Sequence, residues 1–411
     1  MKLGRQWTFC FALGCMGAFA QASDEHEWEF SARTRAAHLR VDDQSGKAAS
    51  VLLRGQITSE WTRALSTVLE LDHVETFWQN HHSDGVNQNG EPLIPDVPGT
   101  ELNQLFVNYE FERVQVRVGR QRIELDDQRF VGSNGYWQND QTFDALSTEW
   151  QLFSASRLNY TYIANANRIF GDDAGAHLAH EDVGYYSSDG ERPAALQGDH
   201  EQHTHLLHLQ ANEWDNSRLI GYAYFIDNED FPAVSNRTFG GKYKFMVTAG
   251  AFKYHGEIAA ATQERTELSG SPRPPYGLLD LSMIHGPWRL VARHEILGAD
   301  QGAGFVTPLA SAHNFQGSAD VFAATPEGGL EDTSLHINWR SSPWELDLRY
   351  HLFREYSGSE PYGHEFDLDI EFKPASQHSI LLRFADFHAS TAYSSTLPDR
   401  QKVYLDYSYN F

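Results

Sequence analysis

Strict alternation of apolar and polar residues is the feature that most narrows what this chain folds into. In WELDLRYHLF, Trp344, Leu346, Leu348, Tyr350 and Leu352 share one face, while Glu345, Asp347, Arg349 and His351 share the other. HEFDLDIEF repeats the pattern, with Phe366, Leu368, Ile370 and Phe372 opposing Glu365, Asp367, Asp369 and Glu371. The final QKVYLDYSYNF aligns Val403, Leu405, Tyr407, Tyr409 and Phe411 on one side. A period of two is a strand with one apolar and one polar face. Strands of soluble sandwiches are mostly shorter, whereas a tilted strand crossing a bilayer needs about 9–11 residues.

Composition removes the main competitors. A mean hydropathy of −0.51, with no long apolar run beyond the N-terminal segment, excludes a helical membrane protein. The net charge of −24 over 411 residues argues against a nucleic-acid binder, which carries a basic face. An aromatic content of 13% is too high for a disordered acidic chain.

The connections add direction. Short links fall near Glu112, Asn212–Ser217, His285–Pro287, Ser341–Pro343 and Pro374–Gln377, and long ones run over 77–100, 124–140, 168–200, 260–274, 299–329 and 389–399. Short turns at one end and long loops at the other are the asymmetry of an outer-membrane barrel. The spacing predicts an all-β, antiparallel transmembrane barrel of about 18 strands over residues 23–411, with short periplasmic turns. Residues 1–22 read as a signal peptide: Lys2 and Arg5 are basic, Trp7–Ala20 is mostly apolar, and Ala20-Gln21-Ala22 is a small-x-small end. A rival cleavage at Leu13-Gly14-Cys15, as in a lipoprotein, leaves a shorter apolar stretch. Cys10 and Cys15 leave with the segment, so the remaining chain holds no disulfide and no cysteine-bound metal. Phe411, closing an aromatic strand, resembles the signal read by the barrel assembly machinery. The expected partners are therefore that machinery, outer-membrane lipid and lipopolysaccharide of a Gram-negative bacterium.

With apolar residues toward lipid, alternate positions face the lumen. That places Arg33, Arg35, Arg54, Arg117, Arg289, Arg293, Arg340, Arg349 and Arg383 inward, together with Glu70, Asp72, Glu110, Glu345, Asp347, Glu365, Asp367, Asp369 and Glu371. An early basic set faces a later acidic one. Such charges either pair across a hydrated wall or act as a selectivity ladder, and one arrangement can do both.

Two blocks carry a resemblance. GRQRIELDDQRFVGSNGYWQNDQTFDAL, Gly119 to Leu146, resembles the signature region of the alginate export family of outer-membrane porins. TPLASAHNFQGSADVFAATPEGGLED, Thr307 to Asp332, is similar to a pattern in that family's later half. The resemblance implies an eighteen-strand monomeric barrel whose arginine-lined pore passes anionic polysaccharide. It implies Arg117, Arg120, Arg122, Arg129 and Asp144 near the constriction, with Arg33, Arg35 and Arg54 along the path. Arg120 and Arg122 fall on the lipid-facing parity, so they need a bulge or a position where the chain folds in over the pore. Read from its residues alone, the first block sets arginines and acids beside Phe130, Tyr136 and Trp137. That combination either stacks and ligates a sugar carboxylate or packs as a salt-bridged plug. The inward acids on residues 345–371 oppose a polyuronate.

Weaker signals remain. His200, His203, His205 and His208 cluster in DHEQHTHLLH, with His177 and His180 upstream. His203 and His205 lie at i, i+2 on one strand face, compatible with a metal, although twenty histidines make clustering unsurprising. Asp172, Asp173, Glu181, Asp182, Asp189 and Glu191 suit surface divalent cations shared with lipopolysaccharide. No Gly-x-Ser-x-Gly, phosphate-loop or zinc-protease motif occurs. The expectation is a passive channel without catalysis or cofactor for a polar, anionic carbohydrate or carboxylated solute. A general or cation-preferring porin, a plugged adhesive barrel and a barrel hydrolase are its alternatives.

Overall fold

The computed structural model describes residues 25–177 and 190–411. The expected signal peptide, His180, Glu181, Asp182 and Asp189 lie outside them. The first strands are β1 (Glu25–Val41), β2 (Gln44–Glu60), β3 (Leu65–Phe77), β4 (Gly99–Phe111), β5 (Val114–Gln121), β6 (Thr142–Gln151) and β7 (Arg157–Asn167). There follow β8 (Asp199–Trp214), β9 (Ser217–Ile226), β10 (Asn236–Ala249), β11 (Phe252–Arg265), β12 (Pro275–His285) and β13 (Trp288–Leu297). A two-residue hairpin, β14 (Ala299–Asp300) and β15 (Ala303–Gly304), precedes β16 (Leu330–Ser341), β17 (Trp344–Arg354), β18 (Pro361–Ala375), β19 (His378–Ala389) and β20 (Arg400–Asn410). Leaving out β14 and β15, eighteen strands form one sheet. It closes where β1 pairs antiparallel with β20, from Ser31↔Asn410 to Val41↔Arg400.

The expected asymmetry is present, with informative departures. Residues 78–98, 122–141, 168–198 and 298–329 are long connections at one end, yet β1 and β2 are joined at that same end by two residues only. The connection expected at 260–274 is shorter because β11 continues to Arg265. Lipid-facing aromatics gather near the short turns, where Trp28, Phe111, Trp214, Trp288 and Trp344 are exposed. Aromatic rings of this kind sit at the headgroup level of a bilayer. No helix among the described residues is long and apolar enough to span a membrane.

The packed core lies inside the barrel. Phe130, Val131, Phe305, Leu309 and Phe322, from residues 122–141 and 298–329, pack on Ile163, Leu206, Tyr224, Tyr276, Phe353 and Phe387 of the wall. Residues 122–141 and 298–329 therefore fold into the lumen.

Leu281 sits on the outer face of β12 and is exposed. Leu281→Arg is expected to destabilise the folded barrel in lipid vesicles by about 2–4 kcal/mol, read from denaturant titration, and Leu281→Phe to be close to neutral.

Candidate functional site: a stitched pair of loops inside a charged wall

Residues 122–141 and 298–329 meet in the lumen as one body. Val131 and Leu309 form a parallel bridge, and the Gly132 N–H donates to the Leu309 carbonyl at 2.8 Å. The Ser311 hydroxyl donates to Gln128 Oε1 at 2.6 Å, while the Asn134 N–H donates to Ser311 Oγ at 2.8 Å. Gly132 is required for this approach, because a Cβ there would lie 2.4 Å from Ser311 Oγ. Gly317 has φ +81°, and a Cβ would sit 2.4 Å from the Glu365 carboxylate, so only glycine brings the second loop onto that acid.

Charged residues of the wall hold the body in place. Arg129 is buried, 2.6 Å from Glu295 of β13, which also accepts from the Tyr276 hydroxyl at 2.7 Å and Gln316 at 2.5 Å. Arg293 joins the same carboxylate at 3.3 Å. From β1, Arg33 donates to Gln138 Oε1 at 2.8 Å, to the Gly135 carbonyl at 2.9 Å and to the Trp137 carbonyl. Arg35 pairs with Asp406 at 2.7 Å and Asp96 at 3.3 Å, and donates to the Tyr136 carbonyl. Arg54 and Arg122 share Glu70 and Asp140, with Asp72 completing the group. Burial opposes charge on Asp140, but Arg54 and Arg122 prevail and hold it below the usual carboxylate range. Lys242 of β10 reaches Asp127 at 2.8 Å and, against the same burial cost, brings that acid down to about 2.

The other side is built around Tyr136. Its ring stacks on His313 and lies within 5.1 Å of Arg35, Arg383 and Lys402. His313 has two committed nitrogens: Nδ1 is 2.6 Å from Asp320, and Nε2 is 2.8 Å from an Arg383 N–H. Since the guanidinium only donates, Nε2 accepts and Nδ1 carries the proton, which makes this imidazole neutral. Burial first, and Lys402 and Arg383 with it, push His313 down to about 3, outweighing Asp320. Lys402 also reaches Asp320 and the Ser318 carbonyl, and Arg400 donates to the carbonyls of Ala319 and Asp320.

These contacts place most of the arginines and acids singled out along the pore. Arg33, Arg35, Arg54, Arg122, Arg129, Arg293, Arg349 and Arg383 converge on the in-folded body or the wall beside it. Arg117 lies lower, over the Phe106 ring at 4.5 Å, with no carboxylate at ion-pair distance among the described residues. Arg120 pairs with Asp144 at 2.8 Å, and its partners Leu105 and Asp144 put both charges on the outward face rather than at the constriction. Arg122 follows the last residue of β5 and folds inward, as its parity required. The acidic wall is interleaved with cations. Asp369 pairs with Arg349 at 3.2 Å and Arg383 at 3.0 Å, and Asp367 is buried 3.6 Å from Arg349. Asp347 lies 3.7 Å from Arg349, while Glu345 pairs with Arg340 beside the β16–β17 turn. Phe130 offers no free face to a sugar, being packed among Tyr222, Tyr276 and Phe305. Lys402 and Asp406 escaped notice, although they alternate with Val403 and Leu405 and were readable by parity. Glu295 obeys the same rule beside Arg293.

On the long-loop side of this body lies a cavity of about 460 Å³. Trp137, Phe170, Phe231 and Pro308 give it an apolar lining, which Arg168, Arg400, Lys402 and Asp320 interrupt.

The model of one protein family, described as alginate export, matches residues 15–216. The fold is similar to that of OccAB4 of Acinetobacter baumannii, at 9% identity and a TM-score of 0.73 over 95% of this chain and 99% of that one. It is also similar to OpdL of Pseudomonas aeruginosa, at 11% identity and a TM-score of 0.66 over 94% and 99%. A third likeness is to OpdK of the same organism, solved with vanillate, at 10% identity and a TM-score of 0.65 over 94% and 98%. No curated protein matches the sequence. With the closed eighteen-strand sheet, these findings give the protein the fold of the Gram-negative outer-membrane channel barrels.

Two measurements check the anchoring. Glu295→Gln leaves Arg129 buried without its carboxylate and is expected to cost about 3–5 kcal/mol, whereas replacing both by apolar residues of similar volume stays near neutral. Neutral His313 makes docking of the second loop pH-dependent. Its docked value of about 3 lies below the free 6.5, so the undocked state gains the proton first and docking weakens as pH falls from about 6.5 toward 3. Current noise in single-channel records is expected to rise over that window, and His313→Gln to remove the rise.

Proposed function

We propose that this protein is a passive channel that carries small carboxylated solutes, acidic sugars among them, across the outer membrane down their gradient. The observation that carries the reading is the unequal exposure of paired charges. Arg54 and Arg122 keep 23% and 22% of their side-chain surface exposed, while Glu70, Asp72 and Asp140 keep 3% each. Arg349 keeps 21% against 0% for Asp367 and 14% for Asp369. Arg293 keeps 16% against 1% for Glu295. In these pairs the acids stand behind the arginines, so this part of the wall presents cations to lumen water. The order is reversed at Asp347, at 31%, and at Asp280 beside Arg293, Asp406 beside Arg35, Asp127 beside Lys242 and Asp320 beside Lys402, where the acid is the more exposed partner.

Guanidinium forks suit carboxylates because two parallel N–H groups meet two oxygens. The cavity beyond them offers a half-apolar waiting place with three cations, which fits a carboxylate on a sugar or aromatic ring. The solved OpdK carries vanillate, a carboxylate, and the matched family is named for alginate, a polymer of carboxylated sugars; the chemistry common to both is the carboxylate. The in-folded body occupies much of the lumen, which favours short solutes over a bulky polymer.

Single-channel conductance in a planar bilayer under a salt gradient tests this. The expected result is an anion-leaning reversal potential, reduced block by uronate oligomers and vanillate in Arg349→Gln and Arg383→Gln, and a shift of those variants toward cations. Cation preference without block leaves a general porin, as the exposed Asp347 and the net charge would favour. Absence of conductance leaves a plugged barrel.

A further inference from the structure

We propose that the outer rim of the barrel carries a site for a zinc-class divalent cation, built from Glu201, His203 and Glu229. Their ligand atoms lie within 4.8 Å of one another, and His203 Nε2 is 2.8 Å from Glu229 Oε1. The site stands apart from the lumen and does not rest on the transport reading. Glu201 and His203 alternate along β8 on the face that, further down, carries lipid-facing Leu207 and Leu209.

The backbone holds these groups together. The loop after β9 zips onto β8: the His203 N–H donates to the Asp227 carbonyl at 2.9 Å and the Glu229 N–H to the Glu201 carbonyl at 3.0 Å. Between them Gln202 and Asn228 form an antiparallel bridge, and buried Asn228 accepts from the Phe231 N–H at 2.7 Å. Glu229 is therefore fixed opposite β8 rather than carried on a free loop.

The imidazole is oriented as a metal ligand is. Tyr162 of β7 contacts Nδ1 at 3.1 Å, which aims Nε2 at the carboxylates. Hydrogen bonding of the far nitrogen is the usual way a ligating histidine is positioned. Without metal, Nε2–H donates to Glu229 and the Tyr162 hydroxyl donates to Nδ1. On binding, the proton on Nε2 moves by way of solvent to Nδ1, Nε2 donates its lone pair to the cation, and Tyr162 turns to accept from Nδ1–H. One nitrogen and two carboxylates favour zinc over calcium or magnesium, which prefer all-oxygen shells. Zinc–ligand bonds of about 2.0–2.2 Å need the three groups to draw in by side-chain rotation alone. A fourth position stays open to water.

The test uses the folded full-length barrel in detergent, with zinc chloride as titrant and cobalt(II) absorption as a second probe. The expected result is one zinc equivalent that calcium does not displace. His203→Ala and Glu229→Gln should weaken it at least tenfold, and Tyr162→Phe by about tenfold. His388→Ala should leave it unchanged, with far-ultraviolet circular dichroism unaltered throughout. Equal zinc affinity in the wild type and in His203→Ala, or displacement by calcium at similar concentration, would overturn the site.

Discussion

In hydrocarbon, a backbone N–H or C=O without a partner costs several kcal/mol, so a strand sheet enters lipid only if its edges meet. Here β1 satisfies that condition by bonding β2 on one side and β20 on the other. Closure also fixes parity for the whole chain. Once Trp28 and Phe30 face lipid, Arg33 and Arg35 have nowhere to point but the lumen, and the same step carries Arg54, Arg349 and Arg383 inward. The charged interior is thus a consequence of backbone hydrogen bonding before it is a matter of function.

A lumen full of arginine invites counter-charge, and the two inward segments supply part of it. Asp126, Asp127, Asp140 and Asp320 come from the loops, while Glu70, Glu295 and Asp369 come from the wall. Buried ion pairs of this kind are close to break-even against apolar replacements, because desolvation offsets most of the attraction. Their consequence lies in placement. Arg129 on Glu295 and His313 between Asp320 and Arg383 allow the loops one seat, and the apolar packing of Phe130, Phe305 and Phe322 supplies most of the driving force.

Period-two alternation made the barrel and its inward residues legible, since lipid on one side and water on the other imprint every strand. The same rule reached Glu295, Lys402 and Asp406 had it been applied to every strand. The rule held at Arg120, which stays on the outer face beside Asp144 as its parity required; the place at the constriction came from the resemblance and not from alternation, and Phe130, in a loop without periodicity, looks like a stacking surface and is an internal anchor. Loops carry no periodicity, so neither the bridge between Val131 and Leu309 nor the reach of Arg129 to Glu295 left a local signal. The resemblance in Gly119–Leu146 and Thr307–Asp332 marked the two segments that meet, without indicating that they meet each other.

Some of the arginines that seat the loops, Arg54 and Arg383 among them, also face lumen water, and this couples the two roles there. On the proposed reading, a carboxylate entering beside Arg383 competes with Asp369 for the same guanidinium, and one beside Arg54 competes with Asp72 and Asp140. The exchange trades one bidentate pair for another, so the net gain on binding is small compared with that of a free arginine. Conduction requires that balance: a site strong enough to admit an anion and weak enough to release it. On the same reading, Arg117, lower on the wall and with no acid at ion-pair distance among the described residues, departs from the scheme and is the position where tighter binding and slower passage of an anion come together.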